Sequence, residues 1–500
     1  HPDWHVANGG EGYHILRTEE EQKQLFMAVA HYALGLGACK VQNWCLRDDP
    51  TWVFPWGIFY PNQLVPKDVA FVHRSQSVLW RFFRPQFRPE GLAVCIANHL
   101  RLGNDDGLGA RVAYQAFGDL LALHYPFNVI DDDHLDRLVP QIKTIVLPCP
   151  LAMSDQSFAK LVAWVKGGGT LLTSGDMTRD PFRQRTRTDR LKQLAGVEFV
   201  SAVGSPGSRS AAAEVQAAFP GLGLAAMPLR PCIRVKPLGA EVLGKTADGE
   251  PVLTRHTLGS GTVFFLTDPI EMANEPPAVD ARRRLYGAML RETSAKSSDG
   301  PARLAAAPDE PWLHVMAQPT ARGMVHVLYN TKTEPGKATV QLATAAGPVV
   351  LNARNRWPSL AAVTAQGALV AVNADGQVSV GEGPVMEGEG LKAVLSLDGQ
   401  DLRRARAILV APFEAGRIDL PRANRQGPEA DAGRLALVGE FHDGRWQTLE
   451  RVDVDSSKPS LEIDADRATC LILVCPASQS RQWTQLLTQA MLRPDQIRGY

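Results

Sequence analysis

Glu11 stands in the run Gly9-Gly10-Glu11-Gly12. Glycines on both sides let the backbone turn sharply and push the carboxylate into the open. A carboxylate presented in this way can attack an electrophilic carbon or carry a proton. Asn8 and His14 lie close by in sequence and could orient it. Further along, Trp44-Cys45-Leu46-Arg47-Asp48-Asp49 closes an apolar run. It brings a flat indole face, a guanidinium and carboxylates to one place, a set suited to holding a polar ligand with an apolar face.

The elements between these residues explain how they could meet. Residues 4–7 read as a short strand entering the glycine turn, and His5 packs in it. A helix starts at Thr18, where Thr18 and Glu21 fit a capping box. Glu19, Glu20 and Glu21 suit the positive end of its dipole. Leu25, Val29, Tyr32, Ala33 and Leu36 recur every three or four residues, which predicts one buried face. His31 is a residue of that helix, and Gly35 and Gly37 stop it. Residues 38–45 form the next strand, completing one βαβ unit with polar and aromatic residues at both strand exits. In (β/α)8 barrels that face carries the chemistry. The stretch TWVFPWGIFYPNQLVPKD follows. It is a stiff aromatic loop in which Trp52, Phe54, Trp56 and Tyr60 could stack on sugar rings or simply pack against the barrel. Residues 68–83 read as a further barrel helix, and the prolines at 85 and 89 mark a boundary.

From Gly91 onward strand and helix alternate: strand 92–97, helix 109–124, strand 127–130, short helix 133–138, strand 144–147, helix 154–165 and strand 170–173. Ser154 is the expected N-cap, and Gly167-Gly168-Gly169 ends the helix. This pattern predicts a doubly wound parallel sheet. Residues 201–210 read as a loop. Residues 236–270 carry strand signals with hairpin turns at Asp248-Gly249 and Gly259-Ser260-Gly261, and residues 280–292 form a helix. Residues 294–300 read as a linker. From Trp312 short alternating runs dominate, the mark of an antiparallel sandwich. His442-Asp443-Gly444 is a hairpin turn, and residues 480–492 form a terminal helix. The expected organisation is therefore 1–88, 91–293, 300–425 and 430–500.

Charge and composition bound the partners. Lys+Arg and Asp+Glu both number 53 in 500 residues, so nothing favours nucleic acid or an anionic membrane. No run of 18 apolar residues predicts a membrane span. The seven cysteines, Cys39, Cys45, Cys95, Cys149, Cys232, Cys470 and Cys475, are odd in number and sit mostly in apolar strands. Buried free thiols are expected, with no metal site and no cofactor. A nucleophile elbow of the form Gly-x-Cys-x-Gly or Gly-x-Ser-x-Gly is missing from residues 91–293. Cys149 lies between two prolines, and Ser174-Gly175-Asp176 lacks the preceding glycine.

The Glu-Gly turn, the TEEEQ helix start, the glycine-rich helix end and the strand closing in Trp then Asp resemble the seventh and eighth units of clan-A glycoside hydrolases. The likeness is to cellulase-like and β-galactosidase-like members. It implies that Glu11 is the nucleophile and that Trp44 floors the sugar subsite. Asn8, Arg47, Asp48, Trp52 and Trp56 would line or support that subsite, and Pro55-Trp56-Gly57 resembles a loop common in the clan. The pattern TIVLPCP followed by AMSDQSFAKLVAWVKGGGTLLTSGD resembles a glutamine-amidotransferase-like domain, which in β-galactosidase-like enzymes mediates trimer contacts.

The fold class expected is multidomain α/β plus β: the last units of a (β/α)8 barrel, a doubly wound amidotransferase-like domain and a carboxyl-terminal antiparallel β-sandwich region. The resemblance implies a carbohydrate substrate and a homo-oligomer, a trimer by analogy. The clan's acid/base glutamate ends strand four. The sequence opens just before strand seven, so it is expected to be the carboxyl-terminal portion of a retaining glycosidase and inactive alone. The alternative is a non-catalytic oligomerisation or carbohydrate-binding module. Cytoplasmic and periplasmic locations both stay open.

Overall fold

The protein is described by a computed structural model. The described residues are 18–38, 40–42, 46–48, 57–61, 65–67, 69–70, 73, 80, 85–87, 90–100, 108–138, 140–203, 212–296, 300–321, 323–344, 347–356 and 358–363. Beyond these, the strands between 369 and 476 are described. The chain divides into two compact units, residues 89–304 and residues 1–88 with 305–500.

Helix α1 (Glu19–Gly35) opens the second of these units. Gln22 N–H donates to Thr18 O, which sets the first turn where the capping residues predicted it. Val69, Ala70, His73 and Trp80 are helical, as expected for 68–83. Strand 4–7 lies outside the described residues. Of strand 38–45, Ala38 and residues 40–42 are described and carry no ladder.

Residues 89–304 form a mixed α/β unit. Its elements are β1 (Leu92–Ile96), α2 (Leu108–Ala122), β2 (Asn128–Asp131), β3 (Thr144–Leu147), α3 (Asp155–Lys166), β4 (Thr170–Ser174), α4 (Asp189–Ala195), β5 (Val197–Ala202), β6 (Val215–Phe219), β7 (Leu224–Leu229), β8 (Ile233–Pro237), β9 (Glu241–Thr246), β10 (Pro251–Leu258), β11 (Gly261–Leu266) and α5 (Pro276–Lys296). Nine strands form one sheet in the order β2-β1-β3-β4-β11-β10-β9-β6-β7. From β2 to β11 neighbours run parallel. From β11 to β7 they run antiparallel. Strand–helix alternation predicted β1 to β4 of the parallel half, and the two expected hairpins join β9, β10 and β11. β6 and β7, which the sequence did not announce, complete the antiparallel half. β5 pairs with β8 in a separate ribbon, so Ser201 and Ala202 belong to a strand where composition suggested a loop.

Local chemistry explains the α3–β4 segment well. Ser154 Oγ accepts the Ser157 N–H at 2.9 Å and caps α3, while Asp155 favours the dipole's positive end. Phe158, Leu161 and Val165 bury one face of the helix. Gly168 then takes φ +113°, and a Cβ on Gly169 would lie 2.6 Å from the Trp164 ring. A Cβ on Gly261, at the start of β11, would collide with the Val165 and Gly169 carbonyls. The core joins Ile145, Leu147, Leu161, Val165, Leu171, Val263 and Phe265 from strands and helix alike.

In the other unit the sheets among the described residues are antiparallel, as the alternation from Trp312 predicted. β12 (Ala306–Ala307) to β27 (Cys470–Pro476) form sheets of seven, four and five strands. The four-stranded sheet pairs β13 (Leu313–Thr320), β14 (Gly323–Asn330), β17 (Pro358–Val363) and β18 (Leu369–Asn373). Helix α1 packs on β13 and β14. A Cβ on Gly35 would lie 3.2 Å from Met316 and Val327, so the helix end approaches the sheet closely. Tyr32 packs edge-on to Tyr329 and bonds His314 Nδ1 at 2.5 Å. β24 (Arg434–His442) and β25 (Arg445–Asp453) meet at His442 and Arg445, across the turn expected there. Terminal helix 480–492 lies outside the described residues.

Candidate functional site

The residues after the expected eighth strand form a small hydrogen-bonded knot. Arg47 bridges Phe59, and Phe59 bridges Pro66. Ile58 and Phe59 N–H both donate to Leu46 O at 3.1 Å, Asp48 N–H donates to Phe59 O at 3.0 Å, and Lys67 N–H donates to Ile58 O at 3.0 Å. Asp48, 1% exposed, accepts the Gly57 N–H on Oδ1 at 2.8 Å. Lys67, 5% exposed, brings Nζ to 2.6 Å from its Oδ2. The ammonium also lies 5.5 Å from the Tyr60 ring centroid. Tyr60 OH donates to Glu19 at 2.6 Å, tying the knot to the first turn of α1. Gln22, buried on the next turn, reaches the Gly57 carbonyl at 3.5 Å.

The expected site residues fall into two groups. Asn8, Glu11, Trp44, Trp52 and Trp56 lie outside the described residues. Arg47 is exposed on the bridge to Phe59, and Asp48 is buried with one oxygen bonded to Gly57 and the other paired with Lys67. Lys67 and Gly57 were not singled out for a role by their sequence context. The available signal was Pro55-Trp56-Gly57 followed by a proline-flanked lysine. His31, 1% exposed, accepts the Trp80 indole N–H on Nδ1 at 3.1 Å, and burial pulls its pKa down to about 3. It is a neutral core histidine. Among the described residues no group of three or more His, Cys, Asp or Glu is placed to hold a metal ion. No helix among them is long and apolar enough to cross a membrane.

In the α/β unit the carboxyl ends of the parallel strands are where an open α/β sheet usually binds ligands. Two residues there take positive φ, Cys149 after β3 at +43° and Gly175 after β4 at +74°. A strained strand-to-helix turn is where a nucleophile elbow presents its side chain. After β4 that position is glycine, and its missing Cβ faces Cys149 Sγ and Pro269 at 3.1 Å. Burial pushes the Cys149 thiol well up, and Glu271, Asp176 and Asp268 push it further. Glu271 is itself buried, bonded to Ser174 Oγ and Tyr286 OH, and desolvation raises its pKa. Glu271 thus satisfies the Ser174 and Tyr286 hydroxyls, and the Cys149 thiol is held in its neutral form. Cys149 should therefore resist alkylation by iodoacetamide at pH 8 in the native protein and react fully in denaturant. Rapid native labelling would show a reactive thiol that this packing forbids.

No family model matches the sequence, and no curated protein matches it. Solved structures do. A catalytic variant of a GH42 β-galactosidase from G. stearothermophilus superposes with a TM-score of 0.52 at 15% identity, over 69% of this chain and 52% of that one. The cold-adapted β-galactosidase from Rahnella sp. R3 gives 0.51 at 15% identity, over 69% and 51%. The chain shares the fold of GH42 β-galactosidases. It spans about half the length of these structures. At this identity the likeness to the GH42 β-galactosidases is one of fold, and chemistry has to be argued from residues.

Proposed function

We propose that this chain is the carboxyl-terminal portion of a retaining glycoside hydrolase acting on β-linked sugars, β-galactosidase-like or cellulase-like. The observation that carries the reading is the fold shared with GH42 β-galactosidases over 69% of the chain. The order of elements in the sequence supports it: a glycine-flanked carboxylate, then α1, then a segment closing in Trp44.

In this reading Glu11 attacks the anomeric carbon and forms a covalent glycosyl-enzyme. A second carboxyl roughly 5–5.5 Å away protonates the leaving oxygen and then activates water. That second carboxyl is assigned to no residue of this sequence. Trp44 stacks under the sugar. Asn8, Arg47, Trp52 and Trp56 contact its hydroxyls or apolar face, and Asp48 supports them. Residues 89–304 serve as an amidotransferase-like assembly domain without chemistry of its own, a role that fits the glycine after β4 and the silent Cys149.

The test is hydrolysis of a panel of aryl β-glycosides by the full-length protein. Turnover of at least one is expected, and failure on all would leave the second reading, a non-catalytic oligomerisation or carbohydrate-binding module. Light scattering at micromolar concentration should give a homo-oligomer, with a trimer expected. A monomer would remove the assembly role.

A further inference from the structure

We propose that the seam where α1 meets Trp80 is an acid-sensitive latch, which opens as His31 takes up a proton while the helix keeps its hold on the sheet. The latch does not depend on the glycosidase reading. His31 lies on the buried side of α1 with Ala30 and Leu34. Its Nδ1 accepts the Trp80 indole N–H at 3.1 Å. An indole nitrogen only donates, so this bond needs Nδ1 without a proton. Once His31 is charged both ring nitrogens donate, and one N–H then faces another. The helical segment that carries Trp80 also brings His73 edge-on to Phe26 of α1, with ring centroids 5.0 Å apart. The His73 Nε2 is buried without a hydrogen-bond partner. Burial lowers the pKa of both histidines, that of His31 to about 3.

The sheet side of α1 responds differently to acid. Tyr32 OH donates to His314 Nδ1 on β13 at 2.5 Å. A hydroxyl can turn round and accept, so a charged His314 keeps this bond. Tyr329 of β14 adds its ring, and Gly35 sits close against Met316 and Val327, contacts that carry no charge. Val327 and Tyr329 face α1, so His326 between them in the alternation points to the far face of the sheet. β17 also meets the helix and holds no titratable side chain. The buried Asp48–Lys67 pair stands near Gln22, about 13 Å along the helix from His31. Among the described residues no carboxylate supports a proton on His31, and burial is the cause of its shift.

Opening the seam returns His31 to water and to an ordinary pKa of 6.5. From pH 6.5 down to about 3 the open form therefore binds a proton that the closed form does not, and acid favours opening. Above pH 6.5 neither form binds it, and the latch keeps its full strength. Each histidine of this kind multiplies the opening constant by about ten per pH unit. His31 and His73 act on the Trp80 side alone, so that side lets go first while Tyr32 and Gly35 hold α1 to β13 and β14.

The test is amide hydrogen exchange of the full-length protein by mass spectrometry, with protection factors corrected for the intrinsic effect of pH. Peptides covering α1 are compared with peptides covering β13 and β14. Between pH 7.5 and 4.5 protection of α1 should fall at least about 100-fold relative to the two strands. His31→Gln keeps an acceptor for the indole N–H and cannot take the proton. In that variant the fall should shrink by about 100-fold, leaving only the share of His73. Protection of α1 that does not change with pH overturns the latch. Loss of protection in α1 and the strands together also overturns it, since the unit then opens as a whole. A fall in His31→Gln equal to that of the parent overturns the role of His31. Should His31→Gln fail to fold, His31→Met carries the same readouts, since it too cannot be protonated.

Discussion

Replacing Glu11 by Gln in the full-length protein should lower turnover of an aryl β-glycoside by about three orders of magnitude or more. That loss corresponds to at least ~4 kcal/mol of transition-state stabilisation. The amide has nearly the shape of the carboxylate, but it is neutral and its oxygen is too weak a nucleophile to capture the anomeric carbon. Stability should hardly move, because an isosteric change in a glycine turn usually stays within about 0.5 kcal/mol. Steady-state kinetics and a thermal melt on the same preparation separate the two effects. Turnover within a few-fold of the parent would discard Glu11 as nucleophile.

Arg282→Met should cause the largest loss of stability in the α/β unit. Arg282 lies on α5, fully buried, and each face of its guanidinium fork is occupied. Nε pairs with Asp119 on α2, one terminal nitrogen donates to Ile270 O at 3.0 Å and Ala273 O at 2.8 Å, and the other donates to Gln115 Oε1 at 3.0 Å. Methionine fills part of the volume and supplies none of these donors. Asp119 keeps Arg283, bonded at 2.9 Å, and two backbone carbonyls are left without their donor. Breaking one side of a buried pair typically costs about 3–5 kcal/mol. For a unit of this size that lowers the melting temperature by roughly 6–20 °C. A melting temperature unchanged in Arg282→Met would show that the network carries no net stability.

The parallel half of the α/β unit was legible because its signals are local and redundant. In α3 a capping serine, a one-sided apolar stripe and a glycine stop all agree, so residues 154–165 were expected and Asp155–Lys166 is found. β3 is a fully buried apolar run, and its bounds match the expected 144–147. The region between β4 and β9 was harder. α4 spans two turns, ends on Gly196 at φ +63°, and is too short for a helical period to show. β6 and β7 are rich in alanine, which has weak strand preference, so their pairing comes from the sheet they join. Ser201 and Ala202 were hidden because their composition suits a loop, while β8 supplies the partner that makes them strand.

The proposed chemistry rests on a different kind of signal. Glu11 and Trp44 stand out by residue type and by glycine context, which sequence displays directly. The knot that holds Asp48 does not, because it depends on Lys67 and Gly57 arriving from positions further along the chain. Asp48 was read as a group that could meet a sugar or support the site. Its burial at 1% and its pairing with Lys67 come from a long-range contact that no short motif encodes. Cys149 gave the reverse case, a reactive residue type in the sequence whose burial among carboxylates silences it.

The retaining two-carboxylate reaction is tested most directly by following the first-formed sugar anomer by proton NMR as the full-length protein hydrolyses an aryl β-glycoside. The β-anomer should appear first and then mutarotate, since two successive displacements restore the starting configuration. Initial release of the α-anomer would contradict the covalent step at Glu11.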